Sequence, residues 1–281
     1  MLAAAVLTVA AAGVVHAVTA EPPARRVRCG EVLTADVRLA ADLRCDGPGG
    51  LVVAADGVDV DLDGHAVTGP GLVTGRSSAA HGISVRARGA TVRDGRVDGW
   101  DVGIDVVARG ATAAVRDVRL EADGVGAAVG EGSSLYVTTS LLRGSNTGAT
   151  AQGTLVVDRS RVEENFTGVA VQTGEPGGPV TLRRTLLRHN HIGLLCHRPG
   201  FLVERSAFAA NDTALVTSDC APWTVRESAF TGNALHLWLD ESRPFTFACT
   251  SFTPRDVPQE VRVQPCAART GAVLRAGTAG G

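Results

Sequence analysis

The stretch GVDVDLDGHAVTGP, residues 57–70, places three carboxylates on alternate positions and follows them with glycine. The pattern D-x-D-x-D-G begins a calcium-binding EF-hand loop, and its sixth position is correctly filled by Gly64. The twelfth position must supply a bidentate Glu but is Pro70, and the flanking residues alternate as strands do, where the motif needs helices. Alternate side chains on a strand lie about 6.6 Å apart, too far for three of them to hold one ion. The stretch therefore predicts a strand with an acidic outer face.

A second group of residues that could do chemistry occurs in HNHIGLLCHRP, which begins at position 189. It contains His189, His191, Cys196 and His197. Imidazole and thiolate ligands so close together suit zinc or copper. Cys196 has an available disulfide partner in Cys220, however, and the only Met of the chain is residue 1, so thioether ligands are missing. We therefore predict no metal site.

An internal repeat must position these residues. The segments TVRDGRVDGW, AVRDVRLEAD, YVTTSLLRGSN, VVDRSRVEEN, TLRRTLLRHN, LVERSAFAAN and TVRESAFTGN align, with TFACTSFTPRD as a degenerate eighth copy. Their aligned apolar residues, 20 to 25 positions apart, are Val92, Val115, Val137, Val157, Leu182, Val203, Val225 and Phe247. A second apolar column follows, from Gly103 to Ala214. Units of short alternating strands cannot close a core alone, but stacked coils with a spacing of about 4.8 Å can.

The opening CGEVLTADVRLAADLRC, the next stretch LVVAADGVDVDLDGHAVTG and the repeats resemble right-handed parallel β-helix proteins of the bacterial secreted type. This is the pectate-lyase-like fold, and the resemblance covers residues 51–256. It implies an all-β solenoid of coils of about 22 residues. We predict an N-terminal cap at residues 21–50, the β-helix at 51–266 and a disordered C-terminal tail at 267–281.

The repeat also predicts how the acidic strand meets the next coil. With Leu62 placed in the first apolar column, Val58, Val60 and Leu62 face the core, while Asp59, Asp61 and Asp63 face outwards. This register sets Asp63 beside Arg93 and Gly64 beside Asp94. Such an ion-paired ladder on a solvated sheet contributes roughly 0.2 to 1 kcal/mol.

The resemblance implies a second interpretation of the same residues. Polysaccharide lyases of this fold use carboxylates to hold calcium on a uronate, with an arginine or lysine as the base. The catalytic candidates are then Asp61, Asp63, His65, Arg93 and Asp94, and the glycan-binding candidates are Arg96 and Trp100. Trp100 lies at a turn between two Asp residues and is expected to expose its ring. The signature motifs of polygalacturonase-type hydrolases and alginate epimerases are absent from the sequence.

Polar residues that recur at one register are assigned to ladders. Asn165, Asn190, Asn211 and Asn233 share a position with Asp123 and Ser145, where we expect left-handed backbone and a stack of amides. A second column contains His65, Ser140, Ser160, Thr185, Ser206, Ser228 and Thr250 and predicts stacked hydroxyls. Phe208, Phe230 and Phe252 form an apolar column and should stack in the core. No catalytic role is assigned to a serine, because no G-x-S-x-G motif occurs.

Cysteine usage and the N-terminus indicate export. Residues 1–20 form an apolar run that ends in a small-residue cleavage site, which predicts a signal peptide, with a retained membrane anchor as the alternative. Six Cys in an exported chain favour disulfides. Fifteen connectivities are possible, and the spacing favours the local pairs Cys29–Cys45, Cys196–Cys220 and Cys249–Cys266. Each would be worth about 3 kcal/mol.

Two functions fit these observations. The favoured one is a secreted, non-catalytic and monomeric protein that binds polysaccharide or cell-wall glycan, or is structural. The alternative is a lyase, hydrolase or epimerase acting on an acidic polysaccharide, and only there would calcium serve as a cofactor. A net charge of -2 gives no basic excess for nucleic acid, and we expect no membrane contact beyond the N-terminal segment. The evenness of the repeats favours binding, since enzymes of this fold break their repeats with long loops.

Overall fold

The computed structural model describes residues 21–72, 79–172, 177–218, 220, 222–240, 245–255, 257–258 and 261–266. The predicted signal peptide and the predicted C-terminal tail lie outside these residues. In the part of the chain that is described, no helix is long and apolar enough to cross a membrane.

The described residues form thirty strands, numbered in chain order, and most coils contribute three of them. The first strands of the coils are β1 (Ala24–Arg25), β3 (Val37–Leu39), β6 (Asp59–Asp61), β13 (Ser134–Thr138), β16 (Thr154–Asp158), β19 (Val180–Arg183), β22 (Phe201–Glu204), β25 (Thr224–Arg226), β28 (Phe245–Ala248) and β30 (Val261–Gln264). The second strands are β4 (Leu43–Arg44), β7 (Ala66–Thr68), β14 (Leu141–Arg143), β17 (Arg161–Glu163), β20 (Leu186–Arg188), β23 (Ala207–Ala209), β26 (Ala229–Thr231) and β29 (Ser251–Thr253). Two longer strands, β9 (Ala90–Asp98) and β11 (Thr112–Glu121), run through the bend and serve as both.

The third strands form a separate sheet of ten. They are β2 (Glu31–Leu33), β5 (Gly49–Val53), β8 (His81–Val85), β10 (Val102–Val106), β12 (Val125–Val129), β15 (Thr147–Ala151), β18 (Thr167–Val171), β21 (Ile192–Cys196), β24 (Thr213–Ser218) and β27 (Leu235–Asp240). The first and second strands together make a bent sheet of twenty. Every strand pairs in parallel with its equivalent in the next coil, so the predicted all-β parallel solenoid is confirmed.

The predicted repeat register is confirmed from Val92 onwards. Val92 pairs with Val115, Val115 with Val137, and the same column continues to Phe247. The second column pairs Ile104 with its equivalents up to Leu237. Stacked side chains of both columns are buried in one continuous core, and the predicted stack of Phe208, Phe230 and Phe252 lies within it.

The predicted register of the acidic strand was wrong by two residues. Val60, and not Leu62, pairs with Val92, so Asp61 lies beside Arg93. Val67 follows Val60 by seven positions, but Val97 follows Val92, the partner of Val60, by only five, so this bend contains two extra residues. Leu62 still points inwards and is fully buried. The Leu62 side chain fits because residue 95 of the next coil is glycine; a Cβ on Gly95 would collide with it.

A left-handed residue forms the bend between the first and second strands. Nine non-glycine residues, one in each coil, have φ between 48° and 59° there: Asp63, Asp94, Asp117, Thr139, Arg159, Arg184, Arg205, Glu227 and Cys249. The hydroxyl column follows directly, and its ladder is confirmed. Ser140 N–H donates to Ser160 Oγ at 3.1 Å, and Thr185 N–H donates to Ser206 Oγ at 3.2 Å.

The asparagine ladder is confirmed at the bend between the second and third strands. Asn165 donates from its backbone N–H and its Nδ2 to Asn190 Oδ1 at 3.0 and 3.1 Å, and Asn190 makes the same bonds to Asn211 at 3.0 Å. The left-handed backbone expected at the Asn residues lies one residue earlier, for example at Glu164 and His189. The Asn therefore stays in a favoured conformation and uses its amide for the buried bend.

The three predicted disulfides, Cys29–Cys45, Cys196–Cys220 and Cys249–Cys266, are all present, with Cα atoms 5.7, 6.0 and 4.3 Å apart. The first joins two points of the segment expected to be a cap. That segment is hydrogen-bonded as the coils are, since β3 pairs with β6 and β2 pairs with β5, both in parallel. It therefore carries outward-facing residues in register with the acidic strand.

Replacement of Asn190 by Ala should destabilise the protein. Asn190 Nδ2 donates to the Val162 carbonyl, and its Oδ1 accepts from Asn165. Loss of the side chain leaves buried groups unpaired, so we expect the free energy of unfolding to fall by about 3 kcal/mol. Chemical denaturation measures this change. Asn146→Ala, at an exposed position, is the matched control and should change it by less than about 0.5 kcal/mol; an equal loss in both variants would contradict the ladder's role.

Candidate functional site

Asp61 lies between two arginines of neighbouring coils. Register pairs it with Arg38 on one side and with Arg93 on the other. Its Oδ2 is 2.9 Å from Arg93 Nη2 and 3.9 Å from Arg38 Nε. The carboxylate faces away from the core as predicted, but the arginines cover it, and its side chain is only 7% exposed. Its other oxygen accepts the backbone N–H of Asp63 at 2.8 Å.

Arg93 gathers three carboxylates. Besides its contact with Asp61, its Nε lies 3.0 Å from Asp59 Oδ2 and its Nη1 lies 2.8 Å from Asp94 Oδ2. Partial burial opposes the charge of Arg93, but the hydrogen bonds to Asp94 and Asp59 outweigh it and raise its pKa further above the ordinary value. A guanidinium held in this way is a permanent cation, and it cannot accept a proton from a substrate.

Asp63 does not pair with Arg93 as expected. It lies in the shifted bend, where its Oδ1 is 3.0 Å from Arg38 Nη2. The hydrogen bond from Arg38 lowers the pKa of Asp63 below its usual range. We name Arg38, Asp59, Asp61, Asp63, Arg93 and Asp94 the acid–arginine cluster. A general acid at neutral pH needs a raised pKa, so the shift at Asp63 is of the wrong sign for that role.

His65 contacts a carboxylate that the sequence interpretation did not name. Its Nδ1 is 3.1 Å from Asp42 Oδ1, and this oxygen also accepts the backbone N–H of Ala66 at 3.0 Å. The bond from Ala66, with that of His65, lowers the pKa of Asp42. His65 stands at the head of the hydroxyl column, and Asp42 joins it to the preceding coil. The contact therefore holds the two coils together at the irregular bend.

An open groove follows the outer corner of the bent sheet beside this cluster. Its volume is about 380 Å³, and it is lined by Asp42, Gly64, Ala66, Gly95, Arg96, Asp117 and Arg119. We call it the corner groove. Arg96 and Arg119 are neighbours in register and both are exposed. Arg96 lies 3.7 Å from Asp98, whereas Arg119 has no ion pair among the described residues. The predicted binding residue Arg96 thus lines the groove, with Arg119 beside it.

A second groove lies further along the same corner and has a volume of about 710 Å³. Its charged residues Arg205 and Glu227 bond each other at 2.7 Å, and most of the remaining lining is Ser and Ala. Its charged groups are therefore already paired. The corner groove has the more accessible hydrogen-bond donors of the two, the guanidinium groups of Arg96 and Arg119.

Trp100, the other predicted binding residue, is not exposed. Its side chain is fully buried, and its Nε1 donates to the Val67 carbonyl at 2.9 Å. It occupies the inward position that Asn residues fill in later coils, and glycine at 69 leaves space for the ring. Trp100 cannot bind a glycan. Among the described residues, exposed aromatic rings include those of Tyr136, Phe166 and Trp238, which are 44%, 57% and 61% exposed, while Trp223 stacks on Phe201.

The histidine and cysteine residues of HNHIGLLCHRP do not converge. Cys196 is in a disulfide, and His191 Nδ1 bonds Asp212 at 2.7 Å while its ring stacks on Phe166. Across the described ranges, no three His, Cys, Asp or Glu side chains are arranged to hold a metal ion.

Sequence reasoning missed Arg38, Asp42 and Arg119. The first two were hidden because residues 21–50 were treated as a cap, although the alternation in DVRLAADL was a signal that the segment is a coil. Arg119 was detectable, since it occupies the same place in its repeat as Arg96.

The fold defines this chain as a parallel β-helix repeat protein with about nine coils, consistent with the right-handed class. Comparison of the chain with protein-family models, with curated proteins and with solved structures gives no match.

Replacement of Arg93 by Leu should destabilise the first coils, because it leaves the nearly buried Asp61 without its closest cation. Hydrogen bonds to charged groups are worth about 2 kcal/mol, and we expect a loss of that size in the free energy of unfolding. Arg116→Leu is the matched control, since Arg116 follows Arg93 in the same column but is exposed and has no ion pair in the described chain. Similar losses in both variants would show that the cluster adds nothing beyond packing.

The Arg38→Gln variant tests the electrostatics of Asp63. Without the guanidinium, the charged carboxylate loses its main hydrogen bond, so its pKa should rise towards the ordinary value of about 3.9. Since the native pKa is depressed, the stabilisation is present at neutral pH and lost as the pH falls through the acid range. A ¹³C NMR titration of the Asp63 carboxyl measures the shift. Arg44→Gln, on the same segment, should leave it unchanged.

Proposed function

We propose that this protein is exported and binds a glycan at the cell surface or outside the cell, without catalysing its conversion. The observation that carries the proposal is the contrast between two adjacent regions. In the acid–arginine cluster, the carboxylates and guanidiniums bond one another. In the corner groove beside it, Arg119 is exposed and has no ion-pair partner within the described part of the chain.

The lining of the corner groove suits the recognition of sugars. Arg96 and Arg119 present guanidinium N–H donors, and Asp117 presents carboxylate acceptors, which together match hydroxyl groups and any carboxylate on the ligand. Small residues at positions 64, 66 and 95 leave room above the backbone. The groove follows the stacking direction of the coils, and an extended chain can therefore lie along it.

The state of the ionisable groups argues against the enzymatic alternative. A lyase of the expected type needs a basic side chain that can give up and regain a proton, but the pKa of Arg93 is raised. The lowered pKa of Asp63 has the wrong sign for the general acid of a hydrolase. Binding needs only fixed donors and acceptors, which Arg96, Arg119 and Asp117 of the corner groove supply.

Export is supported by the three disulfides. Such bonds form and persist in oxidising environments and are rare in reducing ones. An extracellular polysaccharide or cell-wall glycan would meet the protein there. The exported state also agrees with the signal peptide predicted at residues 1–20.

Affinity electrophoresis of the purified protein through gels that contain neutral or acidic polysaccharides tests the proposal. We expect retardation by at least one polysaccharide, and about tenfold weaker binding by Arg119→Ala, which corresponds to about 1.4 kcal/mol for a charged hydrogen bond. Arg161→Ala is the control, because Arg161 is exposed in the same column two coils away, outside the corner groove.

Three results would count against the proposal. Absence of retardation by the whole panel would leave a structural role. An equal loss in both arginine variants would place the ligand elsewhere. Release of unsaturated or reducing sugar products, followed by absorbance or end-group assay with and without calcium, would favour the enzyme instead.

A further inference from the structure

One column of side chains closes the bend between the second and third strands in successive coils. Its members are Trp100, Asp123, Ser145, Asn165, Asn190, Asn211 and Asn233. Each member after Trp100 accepts the backbone N–H of the member before it. Asp123 takes part normally in this first set of bonds, since its Oδ1 accepts Trp100 N–H at 2.8 Å and its own N–H donates to Ser145.

Most members also donate a side-chain N–H to a carbonyl of the preceding coil. Asn165 Nδ2 bonds the Leu142 carbonyl at 3.1 Å, and Asn190 Nδ2 bonds the Val162 carbonyl at 3.0 Å. At the head of the column, Trp100 Nε1 bonds the Val67 carbonyl at 2.9 Å. The residues that carry these carbonyls pair in register along one column. In that column, the carbonyl at the equivalent place before Asp123 is that of Val97.

Asp123 has no side-chain N–H, so in its ionised form it cannot donate this second hydrogen bond. Its carboxyl group is fully buried, and its Oδ2 has no hydrogen-bond partner in the described part of the chain. The backbone of Gly103 closes the other side, since a Cβ there would lie 2.6 Å from Oδ2. A carboxylate only accepts hydrogen bonds, but a protonated carboxyl group has an O–H to donate.

We propose that Asp123 is a neutral carboxylic acid in the folded protein, donates its O–H to the Val97 carbonyl as an asparagine would, and so makes the solenoid less stable as pH rises.

The charges around Asp123 agree with this assignment. Burial raises the pKa of Asp123 to about 8, against the lowering effect of the Trp100 N–H, and the negative charges of Asp98 and Glu121 raise it further. Asp101 lies on the turn of the preceding coil, next to Trp100. In the following coil, Ser145 is uncharged and Arg143 is paired in register with Glu121.

The direction of the pH effect follows from the two states. The unfolded carboxyl has a pKa of about 3.9, so between about pH 4 and pH 8 the native state binds one proton more than the unfolded state. The unfolding equilibrium constant then rises about tenfold per pH unit in this window. Below about pH 4 and above about pH 8 this group contributes no slope.

Urea unfolding of the full chain between pH 4 and pH 9 tests the proposal with Asp123→Asn. The amide supplies the N–H that the carboxylate lacks, so the variant should lose the slope of about one proton and be the more stable protein at pH 8. Asn165→Asp is the reciprocal variant. It places a carboxyl against the Leu142 carbonyl and should add a slope of the same sign.

Infrared difference spectra of the folded wild type, with Asp123→Asn as the reference, report the protonation state directly and do not depend on unfolding. We expect the carbonyl band of a protonated carboxyl at pH 6 and its loss above about pH 8. A carboxylate band from Asp123 at pH 6 would overturn the proposal. So would identical pH slopes for the wild type and Asp123→Asn.

Discussion

The parallel register of the coils is the constraint on which the structure depends. Because equivalent residues lie about 4.8 Å apart, each side chain must be compatible with the next member of its own column. Apolar columns give the core, and asparagine columns give hydrogen-bonded ladders. Opposite charges are neighbours in parts of the outward columns, as Arg38, Asp61 and Arg93 are on the first coils. The same arrangement occurs later, where Glu204 lies 3.5 Å from Arg183 and 3.1 Å from Arg226.

The residues at the bends must also match their equivalents in the next coil, and there the energetic cost is left-handed backbone. Left-handed backbone is unfavourable for most residues, yet one non-glycine residue of each coil adopts it at the first bend. Stacking offsets this cost, because the hydroxyl and asparagine ladders satisfy backbone N–H groups that would otherwise be buried without partners. A column can therefore accept an unusual member only if it preserves the hydrogen bonds, as Trp100 does with its indole and a protonated Asp123 would do with its O–H.

The sequence was sufficient where a column has one chemical type. Val92 and its equivalents could be recognised because polar residues follow each of them at a similar distance in every repeat. Asn165 and Asn190 could be recognised because amide side chains are rare elsewhere in the repeats. It was insufficient where the alternation itself is ambiguous. Val60 and Leu62 are both apolar on one strand face, so period two cannot decide which pairs with Val92. Glycine at 95 was the available signal, since it makes room for Leu62.

The same irregularity links the fold to the candidate site. The two extra residues in the first bend carry Asp63 towards Arg38 and place Gly64 in the lining of the corner groove. Further along, Leu141 takes the column that Arg96 and Arg119 occupy, which limits the polar lining on that side. A regular first coil, with Asp63 beside Arg93, would have given an ordinary ion-paired sheet. The departure from the repeat that made the register prediction wrong thus places Gly64 in the groove that Arg96 and Arg119 also line.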